Sequence, residues 1–387
     1  MGLEFLPSVG ALGWGILYAI VAFLFVLTIV VFIHELGHFL VARWYGVRVL
    51  VFSIGFGPEL FGFNDRYGTR WKVSAIPLGG YVKFFGDENA ASVPDQAAAA
   101  AMSESERKVS FVHQKVGPRA AIVVAGPVAN FILAIVIFAV AAMVYGRPNT
   151  LPRVDTVVAN SAASAAGFQP GDVVQAINGR AIRSFSDMQR IVSFSAGEPL
   201  TIVVERGGTQ VTLKATPALQ DVKDNFGNTH RMGVLGITRS LAADDVRFER
   251  VGFFTAVGLG FTETWALVEQ TMTYIWRIFA GRAPADQLSG VIGIAQMSGQ
   301  VASVSFSLLV QFIAMISVSI GLLNLFPVPL LDGGHLLFYS IEAVRGRPLS
   351  ERAQEYGFRI GMALVLMLMV FATYNDIGRL ASLWPKS

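Results

Sequence analysis

His34 and His38 stand four residues apart with Glu35 beside the first, at the end of a run that is apolar from Leu12 to Val31. On a helix, residues four apart share a face, so the two imidazoles can grip one metal ion while the carboxylate handles a proton. Ionisable groups at membrane depth are costly to keep, which weighs against a chance occurrence. The pattern is that of zinc-dependent hydrolysis, with His34 and His38 as ligands and Glu35 as general base. A catalytic zinc takes a third protein ligand and leaves one position open for water. The chain has no cysteine and five histidines, at 34, 38, 113, 230 and 335, of which His113 and His230 fall in polar stretches. Asp332, in the string Leu331-Asp332-Gly333-Gly334-His335, is the expected third ligand. His335, one turn on, is the rival for that place, or an outer partner or packing residue. Asn324, two turns before Asp332, is placed to hydrogen-bond a substrate backbone or a developing oxyanion, or to cap a helix broken by Pro327 and Pro329.

These residues need elements to hold them. Of 387 residues, 53% are hydrophobic and 15% charged, and the mean hydropathy is +0.54, which points to an integral membrane protein with a soluble insert. A net charge of +3, with basic residues spread over loops rather than gathered in a stripe, gives no support to nucleic-acid binding. No Lys or Arg precedes the first apolar run and no small-residue cleavage pattern follows it, so it reads as a retained helix.

Residues 1–46 are expected to hold the first transmembrane helix with the zinc motif. Arg43, Arg48, Arg66, Arg70, Lys72 and Lys83 follow it, and by the positive-inside rule they put the motif at the cytoplasmic end and the N-terminus outside. Residues 47–86 alternate β-branched or aromatic residues with Gly and Pro, as in short strands and hairpins that either dip into the membrane or form a cytoplasmic subdomain. Residues 87–118, with the run Ala97 to Ala101, read as a cytoplasmic linker, flexible or weakly helical. The second span covers 119–146 and contains Gly126, Pro127 and Asn130; Asn130 is expected to meet a neighbouring helix, with contact to the catalytic helix one option. Residues 219–300 are expected to be an interfacial region, because Glu263, Glu269 and Arg277 interrupt the apolar stretch Phe253 to Phe279 and residues 288–296 read as a turn-rich link. A third span with Asp332 occupies 303–338 and a fourth occupies 357–375. Two crossings between His38 and Asp332 return the chain to the same side, as one shared metal site requires.

Residues 151–218 have the composition of a soluble domain, and Ala166-Gly167-Phe168, Gln169-Pro170-Gly171-Asp172 and Ile177-Asn178-Gly179 resemble the core strings of a PDZ domain. That resemblance implies capture of an extended peptide tail at a sheet edge; a steric gate that binds nothing is the other reading. The whole pattern, namely the His34 to His38 motif, Gly79-Gly80-Tyr81-Val82-Lys83, the PDZ-like region and the block from Asn324 to His335, resembles the site-2 protease family of intramembrane zinc metalloproteases, in particular its bacterial regulator-of-sigma-E branch. The resemblance implies a polytopic α-helical membrane protein of four transmembrane helices, with a membrane-associated β-rich re-entrant element that presents Gly79, Gly80 and Tyr81 to substrate, and one periplasmic PDZ domain. It implies Zn2+ held by His34, His38 and Asp332, with Glu35 as base. The implied setting is the bacterial inner membrane, with the active site near its cytoplasmic side. The implied partners are the lipid bilayer and single-pass membrane proteins, such as anti-sigma factors already trimmed by another protease, together with remnant signal peptides. Many relatives in that branch carry two PDZ domains, whereas this chain has room for one. A silent scaffold with a structural metal would leave Glu35 without a role, and a metal transporter would need ionisable residues along a path across the membrane, whereas here they cluster at one depth.

Overall fold

The computed structural model describes residues 9–86, 101–149, 151–182, 184–223, 229–238, 247–281, 285 and 288–383. The expected linker lies outside them over residues 87–100. The chain divides into two compact units: the first comprises residues up to Ala141 and from Phe254 onward, the second Ala142–Phe253.

In the first unit, helix α1 (Val9–Trp44) runs unbroken from the apolar stretch through the His/Glu motif. Two long strands, β1 (Val49–Asn64) and β2 (Arg70–Phe84), follow. Both are bent, so that each pairs twice. Residues 70–73 of β2 lie against residues 61–64 on one side and 51–54 on the other, and 51–54 also pair with 80–84. The short strands read from the sequence are therefore segments of one folded hairpin, bent where Gly55, Gly57 and the two prolines interrupt the ladder. Its turn is fixed by Asp65, whose carboxylate accepts from the backbone N–H groups of Tyr67 and Thr69 and pairs with Arg43 at the end of α1.

Helix α2 (Glu104–Val109) is one short turn pair, closed by a capping box between Ser103 and Glu106. Helix α3 (Val116–Tyr145) is the second apolar helix and contains Pro127. After the second unit come α6 (Phe253–Phe279), α7 (Val291–Val304), α8 (Phe306–Asn324), α9 (Asp332–Arg345) and α10 (Glu351–Leu383). Among the described residues, four helices are long and apolar enough to cross a membrane, over Trp14–Trp44, Val116–Tyr145, Phe306–Asn324 and Arg352–Arg379. The protein is thus a polytopic helical membrane protein.

Small residues set the close helix contacts, as is usual where lipid offers no hydrophobic drive to pack. A Cβ on Gly37 of α1 would lie 2.3 Å from the Ala125 carbonyl oxygen of α3, and one on Gly321 of α8 would lie 3.1 Å from Pro127 O. One stretch departs from the sequence reading. Residues 291–304 form helix α7 rather than a turn-rich link, because Gly299 allows its backbone to sit on Ala19 of α1 and the Asp376 carboxylate accepts from Gly290 and Gly293 N–H at its start. Helix α6 buries a stripe of Ala256, Gly260 and Thr264, with Gly260 against Ile135 and Ala139, and its Leu267 and Val268 pack with Ala134 and Val318. It therefore packs along the middle of α3, and its exposed face carries Phe261, Trp265 and Trp276.

In the second unit, β3 (Arg147–Asn149) pairs with β12 (Arg247–Glu249), and β4 (Thr156–Val157) with β11 (Ile237–Thr238). Helix α4 (Ala162–Ala165) leads to β5 (Val173–Ile177), which turns through Asn178 and Gly179, both at positive φ, into β6 (Arg180–Ala181). Helix α5 (Phe185–Phe194), β7 (Leu200–Arg206) and β8 (Thr209–Ala215) complete a four-stranded sheet of order β6-β5-β7-β8. A hairpin of β9 (Ala218–Lys223) and β10 (Thr229–Val234) follows. The unit runs well past residue 218, since Leu235 lies in the same core as Val174 and Ile202 and β11 returns to β4.

Asp172 anchors this unit. It is wholly buried, and it accepts from Arg206 Nε at 2.7 Å, Arg206 Nη2 at 2.8 Å and Gln169 N–H at 2.9 Å. Burial alone would raise its pKa, but the guanidinium fork and the amide outweigh burial and hold it below the ordinary carboxylate range. A group with a depressed folded pKa contributes stability above its unfolded pKa and loses it as pH falls through the folded value. Acid destabilisation of this unit below about pH 4 is therefore expected to be blunted in Asp172→Asn, which should already be less stable at neutral pH. Denaturant unfolding of the unit followed against pH checks this.

Candidate metal centre

Helix α1 puts both histidines on one buried face, four residues apart, with Nε2 of His34 and of His38 separated by 3.2 Å. Asp332 Oδ2 completes a triangle, at 3.1 Å from His34 Nε2 and 3.5 Å from His38 Nε2. Tetrahedral zinc with bonds of roughly 2.0–2.1 Å has ligand-to-ligand edges of about 3.3 Å. The three edges match one face of that tetrahedron. Asp332 Oδ2 is sealed from solvent and makes no hydrogen bond, so its lone pairs are left for a cation. Among the described residues, no other group of His, Asp and Glu side chains comes together in this way. The donor set of two imidazoles and one carboxylate is one that suits zinc, and the site fits the ion.

Asp332 reaches this place because the third apolar helix stops short. Helix α8 ends at Asn324, Pro327 and Pro329 cannot donate, and Leu330 takes φ 93°, a costly conformation for a branched residue. The first turn of α9 then folds back on the break. A Cβ on Gly333 would lie 2.2 Å from Phe326 O and one on Gly334 2.5 Å from Val328 O, which explains the paired glycines after Asp332. A carboxylate in the first turn of a helix is favoured by the helix dipole. Farther along α9, Glu342 pairs with Arg119 of α3 at 2.5 Å, and the same guanidinium covers the Tyr339 ring.

Helix α3 supplies no ligand but frames the site. The carbonyl of Ile122 accepts from His38 Nδ1 at 2.8 Å, which leaves Nε2 toward the metal position. Asn130 Nδ2 lies 3.2 Å from His34 Nδ1. Between them sits Gly126, where a Cβ would be 2.3 Å from His38 Nε2. Of the options open for Asn130 in the sequence, contact with the catalytic helix is the one the structure has. Gly126 was invisible as a site residue, although Gly126 and Asn130 repeat the four-residue spacing of the two histidines.

Glu35 stands beside the triangle, where the hairpin meets it. A Cβ on Gly80 would lie 3.0 Å from Glu35 Cγ and 2.8 Å from both Val31 Cγ1 and Ser53 O, and the Val82 backbone hydrogen-bonds the Glu35 carboxylate. Alternation along β2 sends the neighbours the other way. Gly79 abuts the Phe56 ring, and Tyr81 stacks on it with centroids 6.1 Å apart. Gly80 thus joins the site directly, while Gly79 and Tyr81 shape the far face of the hairpin. Asn324 is the last residue of α8, at the lip of the break. His335 lies one turn past Asp332 among the rings of Tyr339 and Phe358, outside the triangle.

The sequence matches Peptidase family M50 over residues 22–368. The chain belongs to this family, the site-2 protease group. The peptidase is 51% identical over 360 residues to a protein of Rhizobium meliloti named as a zinc metalloprotease, covering 93% of this chain and 96% of the relative. It is 52% identical to one of Agrobacterium fabrum carrying the same description, with the same coverage, and 44% identical to metalloprotease MmpA of Caulobacter vibrioides over 94% of this chain and 96% of that one. The peptidase is therefore a multi-pass membrane zinc metalloprotease.

Proposed function

We propose that the peptidase cleaves single-pass membrane proteins within the bilayer, with zinc held by His34, His38 and Asp332. The observation that carries this reading is the ligand triangle in the C-terminal half of a helix long and apolar enough to span, with a carboxylate beside it. Bound zinc supplies polarisation of a scissile carbonyl and acidification of water. Glu35 takes the proton of the attacking water and returns it to the leaving amine, and the Val82 N–H keeps its carboxylate oriented between the two transfers. A helical substrate hides its peptide bonds in its own hydrogen-bond ladder, so it must be unwound locally. The hairpin beside Glu35 offers backbone for an extended segment, and Asn324 holds the freed substrate backbone.

On this reading the protein lies in a bacterial inner membrane, with the N-terminus and the second unit on the periplasmic side and the site near the cytoplasmic side. The second unit is a PDZ domain that takes peptide tails or filters by size. Its order of strand, short helix, strand, tight Asn178-Gly179 turn, short strand, helix and two strands supports this. Substrates are anti-sigma-type proteins trimmed by a preceding protease, and remnant signal peptides. Membrane proteomics comparing wild-type and Glu35→Gln cells tests this. Trimmed single-span fragments should accumulate only in the variant, and identical fragment profiles would exclude the proposed substrates.

A further inference from the structure

A histidine that binds metal through Nε2 must carry its proton on Nδ1. For His38 the Ile122 carbonyl secures this, since a carbonyl can only accept. For His34 the partner is the side chain of Asn130, fully buried on α3 and 3.2 Å away, with its Oδ1 unpaired. The two ends of an amide are equal in size and opposite in role. With Nδ2 toward the ring, the amide donates to Nδ1 and the imidazole proton sits on Nε2, 3.1 Å from Asp332 Oδ2. After a half turn of the amide, Oδ1 accepts from Nδ1–H, and the Nε2 lone pair is free for zinc.

We propose that Asn130 is a positioning residue of the metal centre, a two-way amide that fixes the His34 tautomer in both the metal-free and the metal-bound site. The first state pairs the Asn130 amide with His34 and turns the His34 Nε2 proton toward the Asp332 carboxylate. The second aims His34 at the ion. The backbone of Asn130 is itself held in place, because Ser317 Oγ of α8 donates to its carbonyl at 2.9 Å and Gly321 gives α8 room to sit against it. Asn130 acts through His34, so the inference rests on His34, His38 and Asp332 being the zinc ligands.

The test uses the full chain purified in detergent, with zinc affinity measured by chelator competition and the ligand field read from the visible spectrum of the Co2+-substituted protein. Asn130→Leu should weaken zinc by about 10–100-fold and shift the cobalt bands. Asn130→Asp, which keeps an acceptor for Nδ1–H, should hold zinc within a few-fold of wild type. Wild-type affinity and an unchanged cobalt spectrum in Asn130→Leu would overturn the proposal. So would a folded Asn130→Asp that loses its zinc, and this arm decides the matter if the leucine variant does not fold. His34→Ala separates the two readings: zinc retained there would refute the ligand assignment and the role of Asn130 with it, whereas zinc lost there but held at wild-type affinity by Asn130→Leu would overturn the role of Asn130 alone.

Discussion

Glu35→Gln should lower the rate of peptide cleavage by about 10²–10⁴-fold, the usual worth of a positioned general base, while zinc stays bound. Glutamine has the same size and keeps its place against Gly80, and its carbonyl end can still accept from Val82 N–H. It cannot take a proton from water. The three ligand atoms belong to His34, His38 and Asp332 and are untouched by the change. The measurement is turnover of a single-span substrate by purified protein, alongside metal analysis. A rate within a few-fold of wild type would remove Glu35 from the chemistry. Loss of zinc would make it a ligand instead.

Gly126→Ala should cost more zinc affinity than the loss of an outer hydrogen bond, which is roughly 10–100-fold. The added methyl would sit 2.3 Å from His38 Nε2 and 2.9 Å from His34 Cε1, on the side of the rings that faces the metal position. Parting the helices to make room would give up the close contact of α1 with the Ala125 carbonyl at Gly37. The fold itself should not suffer from alanine in a helix, where it is favoured over glycine by about 1 kcal/mol. Gly117→Ala is the control, since it lies on the same helix with open space around it. Zinc content and thermal unfolding of both variants check this, and equal zinc in the two would show that Gly126 does not guard the site.

The four spans and the zinc-ligand candidates could be read from the sequence because the signals are local: long apolar runs, a four-residue repeat of histidines, a proline-broken helix ahead of an acid. The β region was legible as short strands, while the double pairing of each long strand was not, since pairing partners depend on where the chain bends back. Helix α7 was missed for a related reason. Gly290 and Gly293 at its start read as turns, and only the Asp376 carboxylate of α10 shows them to be contact points. The second unit was cut short at residue 218 because the return of β11 to β4 joins residues about 80 positions apart. Asn130 stood out as a polar residue in an apolar helix, whereas Gly126 and the Ile122 carbonyl act on side chains of another helix and were not marked as site groups by their own neighbourhood.

The break after α8 also has a consequence for the life of the chain before it is complete. The two histidines leave the ribosome about 300 residues before Asp332, and at roughly 5–20 residues per second that interval lasts about 15–60 s. Throughout it a nascent chain displays two ligands without the third, next to other newly inserted membrane segments. The third ligand joins them only with the turn at Pro327–Leu331 that folds α9 back on the break. The ligand set is thereby incomplete until the chain is nearly whole.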